Sequence, residues 1–141
     1  MRWLGIDLGA SRIGIAVSDE LGILAHPFRT LPNNTDFIQA LRGVVLEKRI
    51  TGIVIGMPRN MNGTFGPAAE KARQVAAQLK REFPEVRLAT WDERMTTKEA
   101  QRLLHAAGRN VKKSRPVIDQ VAAQVLLQSF LDSLQLSELN Q

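Results

Sequence analysis

Three acidic residues stand where a carboxylate could take part in chemistry. Asp7 lies near the end of the apolar run 2–8, and Glu93 follows a second strand-like run, 86–91. Asp119 lies on a helical pattern whose neighbours on the same face are Ala122, Ala123, Leu126 and Phe130. A buried carboxylate without a partner costs several kcal/mol. Asp119 therefore requires a basic side chain, a helix N-terminus or a metal ion beside it.

Each acid also has a structural explanation when it is considered alone. Asp7 could cap the turn that follows it. The segment Asp92-Glu93-Arg94 could be a loop whose acid pairs with Arg94, and Asp119 could be stabilised by the helix dipole. Because consecutive strand residues point to opposite faces, Asp92 and Glu93 cannot both face one site if the strand continues.

Taken together, the three acids favour a divalent-metal site. Carboxylates within a few ångströms of one another repel, and divalent cations remove that conflict. The chain has no cysteine, so all-oxygen ligation by Asp7, Glu93 and Asp119 points to Mg²⁺ or Mn²⁺. Two such ions about 3.5–4 Å apart can activate water and stabilise the leaving oxygen of a phosphodiester. The sequence thus predicts these acids as metal ligands and catalytic residues of a two-metal site.

Basic and amide side chains are placed to hold a polyanion near these acids. The formal charge is +5, and residues 71–141 carry 12 basic against 8 acidic groups. One loop follows the apolar run 53–56, and a second cluster crowds into 109–115. The residues expected to bind the nucleic-acid backbone are Arg59, Asn60, Asn62, Arg94, Arg109, Lys112, Lys113 and Arg115.

Periodicity predicts the elements that must position these residues. Residues 2–8 and the period-two pattern Ile13, Ile15, Val17 predict a hairpin, and 22–31 a third strand in which Pro27 requires an edge position or a bulge. Helices and strands then alternate. We expect a helix capped by Thr35, a strand at 53–56, a helix from Pro67, a strand at 86–91, a helix from Thr96 to Gly108, and a last helix from Ser114–Pro116 to about Leu134.

This order predicts an α/β fold: a five-stranded mixed sheet, made of a three-strand meander plus two parallel strands, flanked by helices. The first strand is then central, and ligands of such sheets gather at the carboxyl ends of the central strands. The 141 residues, 44% of them hydrophobic, fit a single domain over 1–141. No apolar run reaches the length of a membrane span, and Asp7 interrupts the stretch that a signal peptide would need, so a cytoplasmic protein is expected.

The motifs in order resemble the YqgF (RuvX) family over nearly the whole chain. They are Asp7-Leu8-Gly9 with Arg12 to Ala16, the loop from Gly56 to Thr64, Asp92 to Thr97 with Glu99-Ala100, and Ile118-Asp119 with Ala122-Ala123. The resemblance implies an RNase H-like fold and a nuclease associated with maturation of the 5′ end of 16S ribosomal RNA precursor, and earlier with Holliday junction resolution. The family's acidic triad falls on Asp7, Glu93 and Asp119. Related RuvC resolvases carry a further Asp where this chain has Ala122.

Several functions stay open at this point. The leading one is a Mg²⁺- or Mn²⁺-dependent nuclease with precursor rRNA as the favoured partner. A resolvase of branched DNA would need two active sites and so a homodimer, whereas the rRNA nuclease could be a monomer or a homodimer. A non-catalytic RNA-binding ribosome-assembly factor is an alternative of another class. An actin-like ATPase or sugar kinase also uses an Asp-x-Gly hairpin, but it needs two lobes around its nucleotide.

The basic cluster at 109–115 gives a first test. We expect alanine at Lys112, Lys113 and Arg115 to weaken binding to unrelated nucleic-acid sequences alike, because phosphate contacts carry no sequence information. Each lost contact should lower the log–log salt slope by about 0.7 on single strands or 0.9 on duplex DNA, measured by binding titrations at several salt concentrations. An unchanged affinity and slope would move the binding face elsewhere, for example to Arg59 and Arg94.

Overall fold

A mixed sheet forms the centre of the computed structural model, which describes residues 1–58, 62–95, 102, 106 and 115–139. Its strands are β1 (Trp3–Leu8), β2 (Arg12–Ser18), β3 (Ala25–Pro32), β4 (Gly52–Met57) and β5 (Arg87–Asp92). The longer helices are α1 (Phe37–Glu47), α2 (Pro67–Glu82) and α3 (Arg115–Leu139), and a 3₁₀ turn, Glu93–Met95, follows β5. None of the described helices has the length and apolarity needed to cross a membrane.

The strands run in the order β3-β2-β1-β4-β5. β1, β2 and β3 form an antiparallel meander. β4 joins β1 in parallel and β5 joins β4 in parallel, so β1, β4 and β5 end at the same edge of the sheet. This confirms the predicted fold class and the central place of the first strand.

The edge strand β3 has the irregularity that its proline requires. Ile15 of β2 pairs with Arg29, but Ala16 pairs with Pro27, so Phe28 is an extra residue in β3. Proline has no N–H for a ladder, and an edge strand or a bulge tolerates this loss. Both sequence-based expectations for Pro27 are confirmed.

Two predicted helix ends differ from the structure. Asp36, not Thr35, is the residue before α1, and it makes no side-chain cap. The reason is a turn around Asn34, whose side-chain oxygen accepts from the Asp36 N–H and whose carbonyl accepts from the Phe37 N–H. α3 runs on to Leu139, beyond the predicted end at about Leu134. The helix predicted from Thr96 to Gly108 falls in a stretch of which only residues 102 and 106 are described.

Alternation along the strands divides the core between the two faces of the sheet. Leu4, Ile6 and their counterparts on the neighbouring strands pack with the apolar faces of α1 and α2. Trp3 and small residues of β2 and β4 pack on the other face, against the stripe of α3 that ends in Phe130 and Leu131. The apolar face predicted for the last helix is thus its contact with the sheet.

Glycines let α3 lie directly on β1, β2 and β4. A Cβ built on Gly5 would stand 2.8 Å from the Leu127 Cβ. On Gly14 it would collide with the backbone carbonyl of Asp119, and on Gly56 with a methyl group of Leu126. The side chains of α3 are therefore held at the sheet surface itself.

Substituting Gly14 tests this contact. We expect Gly14→Ala to lower the free energy of unfolding by about 1–3 kcal/mol, because the added methyl meets backbone that cannot rotate away. Gly43→Ala is the matched control, since a Cβ there meets nothing within 4 Å. Alanine in that exposed helical position should be neutral or stabilise by up to about 1 kcal/mol. Urea unfolding of both variants measures the difference, and equal midpoints for Gly14→Ala and wild type would contradict the packing.

Candidate active site

Asp7 occupies the central strand at the edge where the parallel strands end. It pairs with Gly14 across the β1–β2 ladder. It follows Trp3 and Gly5 at a spacing of two, so its side chain points to the face covered by α3. The carboxyl group is half-buried. Burial, and then the negative charge of Asp119, raise the pKa of Asp7 above its usual value.

Glu93 reaches Asp7 from the far side of β4. The strand β5 ends at Asp92, and Glu93 begins the 3₁₀ turn, on the same side as Trp91. A Cβ on Gly56 would lie 2.7 Å from the Glu93 Oε1, so the missing side chain of Gly56 leaves the space that the carboxyl group of Glu93 occupies. An aspartate would be one methylene shorter and would reach less far across β4.

The carboxyl groups of Asp7 and Glu93 are joined by a hydrogen bond. This bond lowers the pKa of Asp7 and raises that of Glu93, so Glu93 is the protonated partner that donates. Burial is the larger cause for Glu93, followed by the charge of Asp7, and together they raise its pKa to about 7. Near neutral pH a proton therefore relieves the repulsion between these two groups.

Asp119 has a different compensating charge. The Nε of Arg12 donates to the Asp119 Oδ2 at 2.7 Å. Arg12 opens β2 and shares the α3 face with Gly14 and Ala16. The first turns of α3 are also tied to β3, because the Thr30 hydroxyl donates to the Pro116 carbonyl and Gln120 donates to Thr30.

Sequence reasoning missed Arg12 as the partner of Asp119. A basic side chain was one of the partners expected, but 107 residues separate the two in the chain. The alternation of side chains along β2 could have identified this residue. Arg12 lies two residues before Gly14, which pairs with Asp7, and therefore shares that face of the sheet.

The donor chemistry of the three acids fits a hard divalent cation. Asp7 and Glu93 offer adjoining carboxyl oxygens, and Asp119 is close enough for its charge to affect Asp7. Over the described residues, no group of three or more His, Asp and Glu side chains is arranged to hold one ion. The bond from Arg12 engages one of the two carboxylate oxygens of Asp119, Oδ2. Two of the predicted ligands are thus in contact with each other, and the third is paired with Arg12.

Most of the predicted nucleic-acid contacts lie outside the described residues. This holds for Arg59, Asn60, Arg109, Lys112 and Lys113, while of Arg94 and Arg115 only the backbone is described. Their role stays a prediction.

Asn62 is described, and its side chain serves the turn after β4. Its Oδ1 accepts from the Thr64 N–H at 3.1 Å and from the Thr64 hydroxyl at 2.6 Å. Between them Gly63 has a φ of 86°, which favours glycine. Asn62 therefore shapes this loop in the structure, and a contact with phosphate stays a prediction.

Comparison with known proteins identifies close relatives. A family model described as "RuvX: Holliday junction resolvase" matches residues 1–133. A Geobacillus kaustophilus protein named "Putative pre-16S rRNA nuclease" is 47% identical over 137 residues, which cover 94% of this chain and 99% of the relative. A Halalkalibacterium halodurans protein of the same name is 44% identical over 140 residues, covering 96% and 99%.

Solved structures share the fold at low sequence identity. Thermus thermophilus RuvC in complex with a Holliday junction substrate matches with a TM-score of 0.56 and 15% identity, over 96% of both chains. The Fowlpox virus resolvase in complex with Holliday junction DNA matches with a TM-score of 0.57 and 10% identity, over 95% of this chain and 99% of that one. At these identities the likeness shows the fold, and it confirms the RNase H-like architecture.

The shared proton of Asp7 and Glu93 predicts how stability depends on pH in EDTA. The pKa of Glu93 is about 7 in the folded protein and 4.5 in the unfolded chain. The proton on Glu93 therefore contributes its full stabilisation below pH 4.5, and this contribution is lost as the pH rises through about 7. We expect the wild type to lose about 1–2 kcal/mol more than Glu93→Gln between pH 5 and pH 8, after allowance for partial solvent exposure. Glutamine still donates a hydrogen bond to Asp7 but does not ionise.

Urea unfolding at several pH values measures this difference. Glu85→Gln, which changes an exposed acid before β5, is the control and should follow the wild-type curve. Parallel curves for wild type and Glu93→Gln would contradict the shared proton.

Proposed function

The chain belongs to the RuvX family, and we propose on this premise that it is a Mg²⁺- or Mn²⁺-dependent nuclease that processes the 5′ end of precursor 16S rRNA. The names of relatives at 44–47% identity support the RNA substrate. An rRNA substrate in turn predicts a cytoplasmic location.

One observation carries the catalytic part of this proposal. Asp7 and Glu93 form a hydrogen-bonded pair at the edge of the sheet where the parallel strands β1 and β5 end, and the charge of Asp119 acts on Asp7. Repelling carboxyl groups at such a place lower stability when they ionise, and a structural role would be served as well by neutral side chains. Binding of divalent cations would explain why ionisable carboxyl groups, and not neutral side chains, occupy these positions.

Each acid has its own part in this site. Asp7 contacts Glu93 and feels the charge of Asp119, so it would be the ligand common to the bound ions. Glu93 holds a proton that it would release on binding, and Asp119 would complete the set from α3. Bound divalent ions lower the pKa of water and stabilise the leaving oxygen of a phosphodiester. The packed glycines beneath α3 would keep the carboxyl groups in position during the reaction.

A Holliday junction resolvase is the second candidate. The description of the matching family model supports it. Symmetric cleavage of a four-way junction needs two sites, so this function predicts a homodimer. Ala122, where RuvC resolvases have a further acid, favours the rRNA nuclease over a mechanism with four carboxylates.

Cleavage assays with Asp7→Asn test the proposal. We expect the variant to lose cleavage of precursor 16S rRNA by at least about a hundredfold in Mg²⁺ or Mn²⁺, because removing one of the charges that hold the cations removes several kcal/mol of transition-state stabilisation. Binding of the RNA should change little. Asp132→Asn changes an exposed acid on the same helix as Asp119 and should cleave like the wild type.

Parallel digestion of precursor 16S rRNA, unstructured single-stranded RNA and a four-way DNA junction separates the candidates. Preference for the junction, with a dimer in solution, would favour the resolvase. Wild-type binding of RNA without cleavage of any substrate would favour the non-catalytic assembly factor and overturn the nuclease.

A further inference from the structure

Arg12 is a cation built into the acid cluster. Its Nε lies 2.7 Å from the Asp119 Oδ2, and the two side chains are 36% and 28% exposed. Because both side chains are partly exposed, a dissolved ion can reach the pair, which would not be possible if the pair were fully buried. Other contacts also hold α3 on the sheet, among them the Thr30 bond to Pro116 and the packing on the glycines.

The backbone of Asp119 is fixed against the sheet, so the side chain is the part of this residue that can change position when a cation binds. Its backbone carbonyl is packed on Gly14, so the helix cannot shift toward or away from Asp7 without disturbing the sheet. Arg12 sits two residues before Gly14 on β2, at the turn end of the β1–β2 hairpin. Rotation of the Asp119 and Arg12 side chains is therefore the low-cost motion at this end of the site.

We propose that Arg12 and a divalent cation compete for Asp119, with Arg12 holding the carboxylate until a cation displaces it. This inference rests on the proposed function, because it assumes that the cation binds beside Asp7 and Glu93. A guanidinium and a divalent ion on the same carboxylate repel each other. Binding of the ion is thus favoured when Arg12 moves away from Asp119, and part of the binding free energy is used for that displacement.

The released guanidinium has an evident new partner. It is tethered next to the acids, where the phosphodiester must lie for hydrolysis, and the planar fork of arginine suits phosphate oxygens. Arg12 would then be a substrate-positioning residue that exchanges Asp119 for a backbone phosphate. Metal binding and RNA binding would be coupled, because each favours the state in which Arg12 has left Asp119.

Titration with Mn²⁺, followed by the electron paramagnetic resonance signal of the free ion, tests the competition. We expect Arg12→Gln to bind Mn²⁺ with a Kd about threefold to tenfold lower than that of the wild type. Arg12→Lys retains a charge and should stay within about twofold. The control is Arg42→Gln, which breaks a comparable pair with Glu82 at 3.0 Å, on side chains 38% and 44% exposed. It removes the same charge elsewhere and should leave the Kd unchanged.

The same variants separate a positioning role from a structural one. Arg12→Gln should raise the KM for RNA while Mn²⁺ binds more tightly, whereas a general disturbance of the site would weaken both. Weaker or unchanged Mn²⁺ binding in Arg12→Gln, with normal binding in the wild type, would overturn the competition and leave the proposed function intact. Absence of Mn²⁺ binding in every variant would overturn both.

A measurement on the wild type needs no substitution. In EDTA the Nε–H of Arg12 should exchange slowly with solvent, since it is held by Asp119, and nitrogen-15 spectra can follow it. Saturating Mg²⁺ should speed this exchange by at least about tenfold as Arg12 is released. Protection that persists at saturating Mg²⁺ would overturn the proposal.

Discussion

Repulsion between carboxyl groups is the constraint on which this site depends. Asp7 and Glu93 are in contact at one edge of the sheet, where burial deprives their charges of water, and Asp119 is near enough for its charge to act on Asp7. The chain meets this with two separate compensations, a proton on Glu93 and the guanidinium of Arg12 on Asp119. For Asp7 itself, burial and the charge of Asp119 raise the pKa, while the hydrogen bond with Glu93 lowers it. The fold must hold this arrangement against its own electrostatics.

Glycines at two positions of the sheet allow the elements that carry the acids to approach closely. Because Gly14 has no side chain, the backbone of α3 at Asp119 packs directly on β2. Because Gly56 has none either, the side chain of Glu93 can lie across β4. Apolar packing on both faces of the sheet, including the edge-on contact of Trp3 and Phe130 with ring centroids 4.7 Å apart, provides the stabilisation that offsets the repulsion. Backbone packing on glycine therefore positions the acids together with the polar contacts of Asp119 with Arg12 and of Asp7 with Glu93.

The order of the elements and the location of the acids were predictable from the sequence, because they depend on local periodicity. The period-two pattern of the first strands, the apolar run of β4 and the face of α3 each follow from neighbouring residues. The Arg12–Asp119 pair was not predictable, since it joins residues 107 apart and depends on how α3 crosses β2. The start of α1 was predicted at Thr35 because capping preferences are weak, and the turn at Asn34 decided otherwise.

Partial burial would allow the proposed exchange of both compensations for a cation. A fully buried carboxyl cluster would stay protonated or permanently paired, since ionising it would cost more than a cation could return. A fully exposed one would be screened by water and would bind a cation weakly. The acids lie between these limits, half-buried at the rim where β1 and β5 end. At that depth a proton with a pKa of about 7 and an accessible guanidinium can both be exchanged under ordinary conditions. On the proposed function, the depth of the cluster at the sheet edge, more than the identity of any one acid, would therefore determine whether the site takes up a cation and a phosphate.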